Sequence, residues 1–242
     1  MAAHNGALFI RDQIDSILAE IGPDDELIIV DDASTDGTIA VIRAIPDARL
    51  RVVARDQNIG YAATFEEALS LAKGDHVFLA DQDDVWPSGR VDVMQRALAD
   101  HAVVAGNVAI LDGPDHLRSP FGAHDWRLSG GQVVHPWATV LGLALSNVPY
   151  FGSAMAVRRD FLKLALPFPA SARELHDGWL ALLGLMAGSM VHVEDRVVRR
   201  RVHGGNTTGK PRAPHRILVA RILFLRMCVT SWRRVRSAKL VT

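Results

Sequence analysis

Glu26-Leu-Ile-Ile-Val-Asp-Asp-Ala-Ser-Thr-Asp-Gly-Thr38 and His76-Val-Phe-Leu-Ala-Asp-Gln-Asp-Asp-Val-Trp86 are built on one plan. In each, an apolar run of the length of a buried strand ends abruptly in carboxylates. Strand and helix signals alternate around these two stretches. Phe9 to Ile21 carries Ile10, Ile14, Ile17, Leu18 and Ile21 at helical spacing and stops at Gly22-Pro23. Leu50 to Ala54 reads as a strand, and Gly60 to Ala72 as a helix closed by Lys73-Gly74-Asp75. Arg90 to Ala99 reads as a helix and Val103 to Leu111 as a strand. Ser34 or Asp36 is placed to cap a helix over Thr38 to Ile45. This βαβα rhythm predicts an α/β fold with a mostly parallel central sheet flanked by helices.

The rest of the chain is less regular. Asp112 to Val148, rich in Gly, Pro and Trp, reads as a loop over a cleft. Ser153 to Val157 is expected as a strand, Asp177 to Ala187 as a helix and Val191 to Arg201 as extended chain. Gly204-Gly205-Asn206 marks a turn, and a basic, apolar helix follows from about Pro214. The organisation expected is one α/β domain over residues 1–209 and a C-terminal helical arm over 210–242. A parallel α/β domain usually opens with a buried strand, yet only Met1-Ala2-Ala3 precedes His4-Asn5-Gly6. The first strand is therefore expected to be cut short, or the true start to lie upstream.

At 242 residues and 49% apolar composition the chain can bury a sizeable core. Net charge is zero, but nine of the 27 basic residues and none of the 27 acidic ones lie from Lys210 onward. An acidic body with a basic arm suits a metal-using domain beside an anionic surface. The single cysteine, Cys228, rules out an internal disulfide and fits a reducing cytosol. No basic region followed by an apolar run opens the chain, so no signal peptide is expected. No apolar stretch reaches membrane-spanning length.

In open α/β sheets ligands bind beyond the carboxyl ends of the strands. The two acidic clusters, Asp31-Asp32 and Asp81-Gln82-Asp83-Asp84, lie at two such ends. Adjacent carboxylates repel unless something offsets them, and a divalent cation is the usual partner. Asp81 and Asp83 can converge on one ion if the chain turns between them. Hard oxygen ligands favour Mg²⁺ or Mn²⁺, which keep open positions for diphosphate oxygens. The plainer reading is that acids after strands cap helices.

Val30-Asp-Asp-Ala-Ser-Thr-Asp-Gly-Thr38, Asn58-Ile-Gly60, Phe78-Leu-Ala-Asp-Gln-Asp-Asp-Val-Trp86, His176-Asp-Gly-Trp-Leu-Ala-Leu-Leu183 and His203-Gly-Gly-Asn-Thr-Thr-Gly209 occur in that order. Together they resemble the family 2 glycosyltransferases, particularly the bacterial rhamnosyltransferase-like branch, over about residues 1 to 209. The resemblance implies a glycosyltransferase A-type fold and an inverting, metal-dependent transfer. A sugar would pass from a nucleoside diphosphate donor, dTDP-rhamnose or a UDP-hexose, to an acceptor hydroxyl. It implies that Asp32 binds the edge of the donor base with Asp31 in support, and that Ala3, His4 and Asn5 lie against the base. His4 stands where relatives often have tyrosine. Asn58, Gly60, Asp81 and Gln82 would complete the donor site. Asp83 would ligate Mg²⁺ or Mn²⁺, and His203 would be a further metal or diphosphate ligand. Asp177 would be the catalytic base. Asn147 and Gly152 match a block near the acceptor. Trp86 and Trp179 read first as packing residues, with part of the acceptor wall as the other reading of Trp179. Ser153 stands where relatives commonly have cysteine, and Thr64 where many have asparagine.

The chemistry agrees with these roles. A nucleoside diphosphate leaves poorly until a dication neutralises its growing charge. A hydroxyl attacks poorly until a carboxylate takes its proton. One base and one metal suffice for in-line inversion, whereas retaining glycoside hydrolases need a second carboxylate as nucleophile. The acceptor implied is a growing surface polysaccharide, such as O-antigen, or its lipid-linked precursor. The expected place is the cytoplasm, with a peripheral contact to the inner face of the membrane through residues 214–240. There Ile217 to Val229 is apolar except for Arg221 and Arg226. A packed helix or a homodimer contact is the competing use of that segment, and no nucleic-acid partner is expected. A receiver domain also carries acids after its strands, but it is about half this length and leaves Asp177 and His203 unused. A sugar nucleotidyltransferase should open with a Gly-rich, basic loop, which is missing. A relative that binds nucleotide sugar without turnover remains a third alternative.

Overall fold

The two acid-tipped segments lie on either side of one very short strand. The computed structural model describes residues 1–117, 119, 125–133, 135–173, 175–204 and 214–239. Strand β1 (Ala2–Ala3) pairs in parallel with β2 (Leu27–Asp31), setting Ala3 opposite Asp31, and β2 pairs in parallel with β3 (Leu50–Ala54). On its other side Ala2 makes an isolated parallel bridge to Asp81, just past β4 (His76–Phe78). That bridge joins the first three strands to the rest. Beyond it β4 is antiparallel to β7 (Met155–Arg158), and β7 is antiparallel to β5 (Val103–Ile110). Next, β5 is parallel to β8 (Met190–Arg200), and β8 is antiparallel to the edge strand β6 (Gly131–Gln132). The sheet is thus parallel on the β1–β3 side and mixed on the other.

The first strand is two residues long, as its sequence suggests. Alongside it a cavity of about 630 Å³ is bordered by Leu27, Ile28, Phe65, Leu69, Val77 and Trp86.

The helices follow apolar spacing. In α1 (Ile10–Leu18), Ile10, Ile14 and Ile17 are buried on one face. Helices α2 (Thr38–Arg43), α3 (Tyr61–Leu71) and α4 (Arg90–Leu98) occupy the expected places. The cap of α2 differs, because Gly37, at φ +91°, holds the N-cap position, whereas the Asp36 carboxylate accepts the Thr38 N–H at 3.1 Å. The segment Asp112 to Val148 is not all loop, since it contains β6 and α5 (Pro136–Ala144). Pro136 pre-sets the first turn of α5. Its Trp137 and Leu141 face outward at 68% and 61% exposure, so the helix lacks the one-sided pattern that reveals most helices.

Helix α6 (Arg159–Ala165) follows β7 directly, and α7 (His176–Ala187) runs through the core, with Trp179 to Leu183 completely buried. Helix α8 (Pro214–Lys239) lies against α7 and α6. It buries Phe224, Met227 and Ser231, and Arg234 donates to the carbonyls of Leu164, Ala165 and Pro167 at 2.7–2.9 Å. One face of the expected arm is therefore part of the core. The boundary expected at 209/210 and the turn residues Gly205 and Asn206 lie outside the described residues. No described helix is long and apolar enough to cross a membrane.

Candidate active site

Asp81 to Trp86 forms a bridge between the first and last strands of the fold. At its start, Asp81 pairs with Ala2, its carbonyl accepts the buried Gln13 amide at 2.8 Å, and the Gln82 amide exchanges two 2.8 Å hydrogen bonds with the His4 backbone. At its end, Val85 and Arg199 exchange backbone hydrogen bonds at 2.9 Å. These two anchors fix the turn between Asp81 and Asp83. One ligand oxygen each from Asp81, Asp83 and Asp84 then falls within 4.8 Å of the others. His203, three residues beyond β8, comes back to the cluster. Its Nε2 lies 2.8 Å from Oδ2 of Asp83, and its ring stacks on Phe9 at 4.6 Å. The contact joins residues 120 positions apart in the chain.

Asp84 is the most enclosed acid of the cluster. Asp84 is 2% exposed and accepts the Ser153 hydroxyl and the Arg201 N–H, the latter at 3.3 Å. Burial pushes the Asp81 carboxyl up to about 8, with Asp84 and Asp83 adding to the rise. Burial and Asp83 push Asp84 up to about 6. Carboxylates in this state gain most from a cation that displaces their protons. Three hard carboxylate donors with an imidazole alongside fit Mg²⁺ or Mn²⁺ in chemistry and spacing.

Beneath them sits Arg90, 1% exposed. Its guanidinium donates to the carbonyls of Val197, Ser153 and Leu79 at 2.7, 2.7 and 3.1 Å and lies 4.1 Å over the Trp86 ring. Burial lowers its pKa to about 9 against the pull of Asp84 and Asp81. It remains a cation at neutral pH and ties the ends of three chain segments under the acids.

Asp31 and Asp32 stand otherwise. Asp31 is 1% exposed, and its carboxylate accepts both the N–H and the hydroxyl of Ser34. Asp32 accepts the N–H groups of Ile59 and Gly60 at 2.9 and 2.8 Å and pairs with Arg55 at 3.1 Å. Burial would raise its carboxyl, but these donors outweigh it and hold Asp32 below the ordinary carboxylate range. The Asp32 carboxylate thereby fixes the 58–60 turn, where Gly60 needs its positive φ of +94° to start α3. The Asp32 carbonyl meets Nδ1 of His4 at 2.8 Å and the Asn58 amide at 3.2 Å, and Asn5 accepts the Thr35 N–H at 2.9 Å. Ala3 is buried within β1. The donor residues expected from sequence thus gather along one edge, and the Gln82 amide joins that edge to the acid cluster.

Asp177 lies in the first turn of α7, half-buried, with Oδ1 accepting the Gly178 N–H at 2.7 Å. Its charge reaches Asp81. Gly152 is pressed against this turn. A Cβ there would stand 2.9 Å from Nε2 of His176 and 3.4 Å from Cβ of Asp177. Ser153, the next residue, is the one that donates to Asp84, so Gly152 links the Asp177 turn to the cluster. Asn147 is exposed and lines a separate depression with Gly131, Gln132 and His192, apart from the acids. Trp179 is a correction. It is fully buried, its indole N–H donates to the Ala165 carbonyl at 3.1 Å, and Arg234 lies over its ring, so no acceptor can reach it. The apolar run of α7 buries every side of that helix, and the tryptophan goes inward with it.

The model of the family described as "Glycosyl transferase family 2" matches residues 1–159. The chain belongs to this family. Among curated relatives of this glycosyltransferase domain, the succinoglycan biosynthesis protein ExoO of Rhizobium meliloti (strain 1021) is 38% identical over 117 residues, 47% of this chain and 34% of that protein. The putative teichuronic acid biosynthesis glycosyltransferase TuaG of Bacillus subtilis (strain 168) is 35% identical over 40% of this chain and 41% of its own. The domain therefore spans well under two thirds of these relatives. Among solved structures, S. aureus TarS 1–349 in complex with UDP-GlcNAc superposes with a TM-score of 0.70 at 17% identity, over 92% of this chain and 63% of that one. The mannosyltransferase PcManGT of Pyrobaculum calidifontis, in complex with GDP-Man and Mn²⁺, superposes with a TM-score of 0.57 at 18% identity, over all of this chain and 74% of its own. These likenesses show the glycosyltransferase A-type fold, and family membership displaces the receiver reading.

Sequence reasoning passed over four residues of the site. Asp84 belonged to the quoted acidic run but not to the expected ligands, and its burial is what brings it in. Ser153 was noted only for standing where relatives have cysteine, and Arg55 and Arg90 gave no signal, because each acts across a distance in sequence that periodicity does not report.

Proposed function

We propose that this domain transfers a sugar from a nucleoside diphosphate sugar to an acceptor hydroxyl with inversion, using Mg²⁺ or Mn²⁺. The observation that carries the reading is the convergence of Asp81, Asp83 and Asp84 within 4.8 Å with His203 on Asp83. Asp83 and His203 would hold the ion, with Asp81 and Asp84 beside it. The cation supplies charge to the departing diphosphate. Asp177 takes the proton of the acceptor hydroxyl as its oxygen bonds to the anomeric carbon and the bond from that carbon to the diphosphate breaks. The 58–60 turn, His4, Asn5 and Asp32 would hold the nucleoside. A UDP-hexose or dTDP-rhamnose is the donor class proposed. The UDP-GlcNAc in one structural neighbour and the Mn²⁺ in another support a nucleotide sugar with a dication. Relatives named for succinoglycan and teichuronic acid synthesis support a polysaccharide acceptor.

A donor screen reading nucleoside diphosphate release, with and without EDTA, tests this. Wild type should release product only without EDTA. Asp177→Asn should lose about 10²- to 10⁴-fold in turnover while still binding donor. Full turnover by that variant would remove Asp177 as the base, and binding without any turnover by the wild type would favour the non-catalytic alternative.

The outward face of α8 supports a peripheral membrane position for the domain. Leu218, Ile222, Leu225, Val229 and Trp232 are 45–64% exposed, arginines flank them, and the helix carries no acid. Leu225→Glu with Val229→Glu should abolish pelleting with anionic vesicles while the buried face of α8 keeps the fold. Equal pelleting would count against the membrane. Concentration-dependent dimerisation lost in the same variant would instead assign the face to a second copy.

A further inference from the structure

His176 is a buried polar side chain whose presence packing does not account for. Its ring is 7% exposed, and neither Nδ1 nor Nε2 has a hydrogen-bond partner among the described residues. An aromatic ring without nitrogens would fill the same space without that desolvation cost. The surroundings are apolar and aromatic. Phe65 stacks on the imidazole at 4.4 Å and 16°, Tyr61 meets it edgewise at 5.5 Å, and Gly152 has no room for a Cβ beside Nε2. Burial keeps the imidazole below its usual pKa and therefore neutral at pH 7. A neutral imidazole offers one donor and one acceptor, which suits a hydroxyl, whereas a phosphate offers acceptors only. Tyr61 and Phe65 belong to α3, the helix started by the turn that Asp32 holds, so the imidazole lies against the helix that opens at the proposed nucleoside edge. Asp177 is the adjacent residue on the other side.

We infer that His176 is a specificity-determining residue that hydrogen-bonds a hydroxyl of the donor sugar when the half-exposed Tyr61 ring turns aside. The inference rests on the nucleotide-sugar reading above. Unpartnered buried nitrogens beside a catalytic turn are the kind of local cost that a site retains for its ligand.

Calorimetric binding in Mn²⁺ tests it. UDP is compared with UDP-glucose and UDP-N-acetylglucosamine, and dTDP with dTDP-rhamnose, on wild type, His176→Phe and His176→Gln, beside thermal unfolding. His176→Phe should unfold at the same or a higher temperature and bind UDP or dTDP like wild type. It should lose about threefold to tenfold of the affinity for the preferred sugar nucleotide. His176→Gln should regain part of that loss. A folded His176→Phe with an unchanged ratio of sugar-nucleotide to nucleotide affinity overturns the inference. If His176→Phe does not fold, donor analogues lacking one hydroxyl each are bound to wild type and His176→Gln. Coupling of one hydroxyl to residue 176 supports the inference, and strict additivity overturns it. A wild type that binds neither UDP nor dTDP removes the nucleotide-sugar reading itself, a result separate from an unchanged ratio.

Discussion

Asp31-Asp32 and Asp81-Gln-Asp-Asp84 look alike in sequence and are opposites in the folded chain. The first pair is supplied with donors from within. Ser34, Ile59, Gly60 and Arg55 deliver donors to its carboxylates, and Asp32 sits below the usual carboxylate range. In the second cluster burial and mutual repulsion outweigh Arg200 and the hydrogen bonds to Asp84, and the carboxyls are driven up to about 8 at Asp81 and about 6 at Asp84. A carboxylate at a strand tip is therefore not in itself a metal site. What surrounds it decides whether it is held low as an organiser of the backbone or driven up toward its protonated form.

The sharpest way to break this contrast is Asp32→Ala. It leaves the Ile59 and Gly60 N–H groups without their acceptor and removes one partner of Arg55, which keeps Glu67, Thr64 and the Ala63 carbonyl, so unfolding should show a loss of about 3 kcal/mol that is the same with Mn²⁺ or EDTA. Asp81→Asn should do the reverse. In EDTA its stability should match or exceed wild type, because a repelling carboxyl is gone. The stabilisation by Mn²⁺ at a hundredfold excess over its Kd, about 2.7 kcal/mol for wild type, should disappear.

The pH dependence comes next. Asp81 and Asp84 bind protons more tightly folded than unfolded, so their contribution is full below about pH 4 and is lost as pH rises toward 8. Asp32, held low, contributes in the opposite sense, present above about pH 4 and lost on acidification. In EDTA, Tm should therefore fall by a few degrees between pH 6 and 8, and Mn²⁺ should cancel the fall. A flat EDTA profile would mean that the acid cluster is better compensated than its geometry shows. The smallest expected effect is that of Ser34→Ala and Ser153→Ala, each costing about 1 kcal/mol. Only the second should alter the response to Mn²⁺, read as a change in the metal-induced shift of Tm.

Much of the fold was legible because its signals are local. The apolar runs before Asp31 and Asp81 and the spacing of Ile10, Ile14 and Ile17 lead directly to β2, β4 and α1. Helix α5 was not legible, since its exposed Trp137 and Leu141 erase the contrast between faces. Nor was the direction of β7, which depends on its neighbours rather than on its own residues. At the site, residue identities were readable and partnerships were not. The sequence contains Asp83 and His203, but only the pairing of Val85 with Arg199 explains why they meet. For Trp179 the packing reading holds and the acceptor-wall reading does not, because the helix that carries it is enclosed around that residue.

Arg90 carries one more consequence. Dissolved ions shield charges that face water over a Debye length of about 10 Å at 0.1 M. They do not reach a guanidinium enclosed by Val197, Ser153, Leu79 and Trp86. Raising ionic strength should therefore leave the support under the acids untouched, and a salt titration acts on the charges that face water around it.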